Sequence, residues 1–180
     1  MSADGVANIA PYSFFNGVAS DPPQVMYASC GNQPHGPKDT VTNIRATNEF
    51  VVNIATWDLR DAMNITSQPA PPDEDEFALA GLSAEPSRLV KPARIAQSPI
   101  NMECRLVDII ELMSNDSAQP NTMVIGHVVG IHIDEAILSD GKIDNAKLML
   151  ISRLGYKDYA CVDKVFEMSR PGGGGKLAGL

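Results

Sequence analysis

Ile100-Asn-Met-Glu-Cys-Arg-Leu-Val-Asp-Ile-Ile-Glu-Leu112 and Thr122-Met-Val-Ile-Gly-His-Val-Val-Gly-Ile-His-Ile133 are the longest stretches of this chain made of residues that suit a pleated, half-buried surface. Each spans about a dozen residues, roughly twice the usual strand length, and the polar residues 114–121 read as the loop between them. Strands that long on a chain of 180 residues suit a barrel better than a flat open sheet.

Working outward, residues 6–10 follow the turn-like Asp4-Gly5, and residues 24–29 follow Asp21-Pro22-Pro23, so both read as strands. Asp39-Thr40 opens a helix that carries Val41 and Ile44 at helical spacing, and residues 49–54 read as the next strand. Residues 57–66 then suggest a short helix, and residues 67–76 a Pro-rich acidic connection. Its four acids, Asp73, Glu74, Asp75 and Glu76, lack the glycine and distal Glu of a calcium loop, and read instead as a solvated loop or helix start. Near the C-terminus, a short helix is expected over residues 145–150 and a last strand over 164–168. The expected fold class is mainly β with helical insertions, in one domain over residues 1–170. Residues 171–180, with four successive glycines, read as a flexible tail.

The net charge of −8 and the lack of a Lys/Arg cluster argue against a nucleic-acid or anionic-membrane partner, since both need a positive surface. No stretch reaches the roughly 20 apolar residues that cross a bilayer, and residues 1–4 lack the pattern of a secretory signal. Cys30, Cys104 and Cys161 are odd in number and far apart, which suits free thiols in a reducing cytoplasm. The Asn-x-Ser/Thr triplets at Asn64 and Asn115 then carry no meaning.

The stretch Ser29-Cys-Gly-Asn-Gln-Pro-His-Gly-Pro-Lys38-Asp39-Thr40 links a strand to a helix start. Hydroxyls, a lysine and free N–H groups at the positive end of a helix suit a phosphate; a helix capped by Asp39 or Thr40 beside a solvated Lys38 satisfies the same residues. Cys30 beside the loop reads as a bystander thiol. Gly172 to Gly175 and Lys176 fail as a P-loop, because Leu177 follows and no strand leads into a helix; no Gly-x-Gly-x-x-Gly follows a strand either. His127 and His132 stand an odd number of positions apart on one strand and so face opposite sides, which removes the obvious metal pair. No catalytic triad signature is present, and no residue is named as catalytic.

The words Asn8-Ile-Ala-Pro-Tyr-Ser-Phe-Phe-Asn16, Asp21-Pro-Pro23, Lys38-Asp-Thr40, Asn43-Ile44 and Glu49-Phe-Val-Val-Asn53 occur in one order at compact spacing. They are followed by Phe77-x-Leu-Ala-Gly-Leu82, Ser87-x-Leu-Val90, Ser98-Pro99, Glu103-Cys104, Ile125-Gly126, Arg153-Leu-Gly155 and Tyr159. Together these resemble the flavin reductase-like, FMN-binding split-barrel family over nearly the whole chain except the tail.

The resemblance implies a split β-barrel homodimer with FMN at or near the subunit interface. Ser29, Lys38 and Thr40 would hold the phosphate and Asp39 would cap the helix. Asn8, Ala10, Pro11 and Ser13 would lie along the isoalloxazine edge, with Phe14 packing near the ring. The implied activity is NAD(P)H-dependent flavin reduction, with NADH or NADPH as donor and a monooxygenase as one acceptor of the reduced flavin. An electron-transfer flavoprotein and a truncated inactive member are the alternatives. Family members usually begin with a strand before the turn that corresponds to Asp4-Gly5; that strand is expected to be missing here, leaving a sheet edge unpaired and part of the pocket unlined. Asn121 stands where some members carry a histidine.

Overall fold

The computed structural model of the protein describes residues 1–71, 73–169 and 171–172. Its centre is an antiparallel five-stranded sheet in the order β1-β2-β7-β6-β3, made of β1 (Phe15–Ser20), β2 (Pro23–Cys30), β3 (Glu49–Asn53), β6 (Ile100–Leu112) and β7 (Asn121–Ile133). Helix α1 (Asp39–Thr47) joins β2 to β3, while α2 (Arg60–Ile65), α3 (Glu76–Leu79) and the small pair β4 (Ala84–Glu85) and β5 (Arg94–Ile95) lie between β3 and β6. After β7 come β8 (Leu138–Ser139), β9 (Lys142–Ile143), α4 (Asn145–Leu148), β10 (Ile151–Arg153) and β11 (Tyr159–Cys161). This is a mainly β split barrel with helical insertions, as the sequence leads one to expect.

The pleat sorts the side chains. Val25, Tyr27 and Ser29 on β2, and Thr122, Val124, Gly126 and Val128 on β7, point inward at every second position. Val25, Tyr27, Val124 and Val128 meet Phe50, Cys104 and Ile44 of α1 in one buried cluster, with Tyr12 and Phe15 packed against it. The β6–β7 register slips between Glu103 and Cys104 and again between Leu106 and Asp108, and such bulges add the twist that lets a long hairpin curl. The curl brings the tip of the Phe50 ring against Gly126, so that a Cβ added there would collide with Phe50 Cζ.

A second device ties the segment between β4 and β5 to the sheet. Glu103 is fully buried, and its carboxylate accepts the N–H groups of Arg88 (2.9 Å), Leu89 (2.6 Å) and Val90 (3.0 Å), while His132 Nε2 lies 2.5 Å from Oε1, the oxygen that also takes Arg88. Burial alone would raise this carboxyl, but the Arg88 N–H, His132 and the other two amides together outweigh it and hold it down at about 2. Gly130 leaves room for Leu89, whose Cδ1 would stand 3.0 Å from an added Cβ.

Several sequence expectations are corrected here. Residues 6–10 form no strand, because their N–H groups go elsewhere: Val6 donates to Ser2 Oγ and Ile9 to Glu76 Oε2. The first strand is instead Phe15–Ser20, whose Asn16 and Gly17 hide it from a propensity reading. Residues 164–168 form no strand either; the last strand among the described residues is Tyr159–Cys161, and Val165, Phe166 and Met168 stay exposed. The expected helix over 57–66 begins only at Arg60, and that over 145–150 ends at Leu148 because Met149 turns left-handed with φ 50°. Of the expected flexible tail, residues 173–180 lie outside the described residues, and with them the Gly-rich run weighed as a P-loop.

Gly126→Ala should lower stability by about 1–3 kcal/mol, read as a lower urea midpoint, since the new methyl must displace the Phe50 ring. Pairing it with Phe50→Leu should restore part of the loss; an unchanged midpoint in the single variant would contradict the packing. For Glu103, the folded carboxyl lies below its ordinary value, so its contribution is present above about pH 4.5 and is lost as pH falls toward about 2. The full contribution is roughly 3 kcal/mol. The drop in melting temperature between pH 5 and pH 3 should therefore be smaller in Glu103→Gln than in the wild type.

Candidate functional site

The segment that enters β1 does not pair in the sheet, and side chains fasten it to α1. Asn8 Nδ2 donates to Thr40 Oγ1 at 2.7 Å, and Asn43 Nδ2 donates to Asn8 Oδ1 at 2.8 Å. Thr40 and Asn43 are three apart and share a face of α1, so one asparagine side chain bridges them. Beyond Asn8 the chain passes Ala10 and Pro11, and Tyr12 turns back into the barrel with its ring centroid 4.4 Å from that of Tyr27.

Tyr12 brings the two parts of the site together. Its hydroxyl is buried beside the hydroxyls of Ser29 and Thr40, near enough to interact with both, although neither meets it at full hydrogen-bond geometry. Burial, more than anything else, raises its pKa, so it stays a neutral donor. Lys38 Nζ stands 5.8 Å from the centre of the same ring. Lys38 is also the N-cap of α1, in extended backbone and with no side-chain cap, so the positive end of the helix opens toward this group. Ser29 is buried at the end of β2.

Three hydroxyls, the Lys38 ammonium and the Thr40 N–H form a donor set with a helix dipole behind it, while the neighbouring N–H groups of that turn are taken, Asp39 by Gln33 Oε1 and Val41 and Thr42 by the Lys38 carbonyl. That chemistry fits a phosphate group. The residues singled out from sequence therefore converge in part. Asn8, Ser29, Lys38 and Thr40 gather around Tyr12, while Ala10 and Pro11 follow Asn8 along the strip, half-buried. Ser13 and Phe14 lie outward, Phe14 being 64% exposed while its carbonyl accepts the Ala28 N–H.

Asp39 is corrected. It does not cap the helix, and neither does Thr40; Asp39 is the first helical residue, and its carboxylate faces His35 Nε2 at 3.2 Å. The acidic run also divides. Asp75 caps α3 by accepting from Phe77 and Ala78, but Glu76 is buried instead of solvated, and its carboxylate accepts the Ile9 N–H at 2.5 Å. Burial first, then the Asp39 charge, push the Glu76 carboxyl up to about 7, against the lowering by Ile9 N–H and the Met1 amine. Tyr12, Asn43 and Glu76 are the members that sequence reasoning left out; Tyr12 and Asn43 stand inside quoted family words, and the order of the acids alone could not single out Glu76.

Two open clefts lie apart from this strip. One, of about 220 Å³, is walled by Trp57, Arg60, Met63, Ile151, Tyr159 and Cys161, with the Arg60 guanidinium 4.3 Å over the Trp57 ring. The other, of about 270 Å³, runs between Pro37, Val41, Arg45, Glu111, Pro120 and Thr122 on a different face of α1. Among the described residues, no three His, Cys, Asp or Glu side chains gather as a metal would need, and no helix is long and apolar enough to cross a membrane.

Comparison with known proteins adds the family. The profile of the flavin reductase-like domain matches residues 1–157. An uncharacterised protein of Halalkalibacterium halodurans is 35% identical over 171 residues, covering 94% of this chain and 81% of its own length. The structure of nitrilotriacetate monooxygenase component B from Bacillus cereus superposes with a TM-score of 0.85 at 34% identity, covering 93% of this chain and 82% of that one. A candidate flavin reductase with a split-barrel domain from Shewanella frigidimarina shares the fold at 23% identity, with a TM-score of 0.81 over 94% of this chain and 82% of that one. The match over most of the chain, on a split barrel, makes this protein a member of the flavin reductase-like family.

Proposed function

We propose that the chain binds FMN and reduces it with NADH or NADPH. The observation that carries this reading is the Tyr12 cradle, where the buried Tyr12 hydroxyl lies beside those of Ser29 and Thr40, with the Lys38 ammonium over the same ring and Lys38 opening α1. In this reading Ser29, Lys38 and Thr40 hold the phosphate with Tyr12, and the flavin ring lies along Asn8, Ala10, Pro11 and Ser13 with Phe14 against it. Bound FMN supplies a ring that accepts a hydride from nicotinamide, chemistry that needs alignment more than a protein acid or base.

The protein's share is then binding and orientation. Asn8, held by Thr40 and Asn43, fixes the distance between the ring strip and the phosphate cradle. Backbone N–H groups along the strip would stabilise charge gathered on the reduced ring. The Ile9 N–H is not among them, because Glu76 already holds it.

The strip is open in a single chain, and Phe14, Val18 and Val107 are exposed on it and on the central sheet. A second copy covering these residues would close the site, so the working form in this reading is a homodimer in the cytoplasm. The likeness to a monooxygenase component supports delivery of reduced flavin to a separate oxygenase.

Purified protein should bind FMN in about one equivalent per chain and oxidise NADH or NADPH steadily when FMN is added. A folded protein that binds FMN but turns over neither nucleotide would reject the reductase reading; rapid reduction by a protein donor would then mark an electron-transfer flavoprotein. Lys38→Ala and Thr40→Ala should each weaken FMN binding about ten- to a hundredfold in a fluorescence titration, the range of a lost charge-assisted hydrogen bond. Riboflavin binding should change far less, because it lacks the phosphate.

A further inference from the structure

We propose that Glu76 is a positioning residue of the flavin site, and that its carboxylate takes up a proton from solvent when FMN binds. The inference rests on the FMN reading above and goes beyond it. Glu76 opens the short helix α3 and is 8% exposed. Among the described residues its carboxylate has one hydrogen-bond partner, the Ile9 N–H. Ile9 sits between Asn8, which is tied to Thr40 and Asn43, and Ala10-Pro11, where the ring would lie. The carboxylate therefore supports the strip at its middle, through the Ile9 N–H.

The charged and titratable groups that face it leave a negative charge poorly balanced. From α1 comes Asp39, which adds negative charge; from the N-terminal segment come the Met1 amine, which offsets it, and the neutral Tyr12 hydroxyl. Asp75, next to it in the chain, already accepts from Phe77 and Ala78. Lys38, the N-cap of α1, has its ammonium directed over the Tyr12 ring. A buried carboxylate with one amide partner and a carboxylate neighbour is held near the balance between its two forms, which agrees with the rise to about 7.

FMN would tip that balance. Its phosphate carries between one and two negative charges near neutral pH, and the ring would exclude water from the strip. Both changes disfavour the carboxylate and favour the acid, so one proton moves from solvent to a Glu76 oxygen and no covalent bond changes. The protonated acid can still accept the Ile9 N–H through its carbonyl oxygen, so the strip keeps its support.

The sign follows from linkage. Binding that takes up a proton weakens as pH rises through the free protein's value, here from about pH 6 to pH 8. Calorimetric titration of the full chain with FMN at pH 7.5, in two buffers of different ionisation heat, should report net proton uptake by the wild type and less by Glu76→Gln. The Kd of the wild type should rise at least about threefold more between pH 6 and pH 8 than that of the variant, which also corrects for titration of the phosphate itself. In the flavin-free protein the Ile9 amide resonance should titrate near pH 7, and in Glu76→Gln it should not. FMN binding by the wild type with no proton uptake, or with equal uptake in both proteins, overturns the inference and leaves the FMN reading standing. Folded protein that binds no FMN at any pH overturns both. An Ile9 resonance indifferent to pH overturns the positioning role even if the variant does not fold.

Discussion

The side chain of Asn8 holds an unpaired stretch of backbone against a helix, and the rest of the site depends on that attachment. Residues 6–13 pair with no neighbouring strand, so their position rests on a few side-chain bonds: Asn8 to Thr40 and Asn43, and Ile9 to Glu76. Each such bond contributes on the order of 1 kcal/mol, modest against the core but enough to choose one placement of a short segment. With the strip fixed, Tyr12 enters the barrel beside Tyr27 and its hydroxyl reaches the level of Ser29 and Thr40. The proposed ring and phosphate positions are thus parts of one construction.

The barrel beneath works by different physics. Its geometry comes from close packing of a few residues, with Ile44 of α1, Phe50 and Val124 nearly sealed from solvent and Gly126 leaving the space that the Phe50 ring fills. Polar groups enter this interior only with partners, as Glu103 does with three amides and His132. Rigidity there lets a marginally held surface strip keep a constant distance from α1.

Much of this is legible in the sequence and some is not, for identifiable reasons. The long hairpin of β6 and β7 stands out because a dozen residues of β-favouring type have few other uses. The proposed phosphate cradle draws attention in the sequence at Ser29, Lys38 and Thr40 because hydroxyls, a cation and a helix start lie within a dozen residues. Residues 6–10 mislead because apolar content resembles a strand, while the deciding partners, Ser2 and Glu76, are side chains that no periodicity detects. Asp39 misleads in the same way: its type suits an N-cap, but the chain turns one residue earlier and gives it to His35. Glu76 and Glu103 look like ordinary surface acids until the fold buries them, because burial is a property of long-range contacts.

The most direct measurement is a crystal structure of the protein grown with FMN. The account predicts the phosphate within hydrogen-bond reach of Ser29, Lys38, Thr40 and the Tyr12 hydroxyl, with the flavin ring over residues 8–14. Flavin seated instead in the cleft between Trp57 and Tyr159, with the Tyr12 hydroxyl still unpartnered, would contradict it.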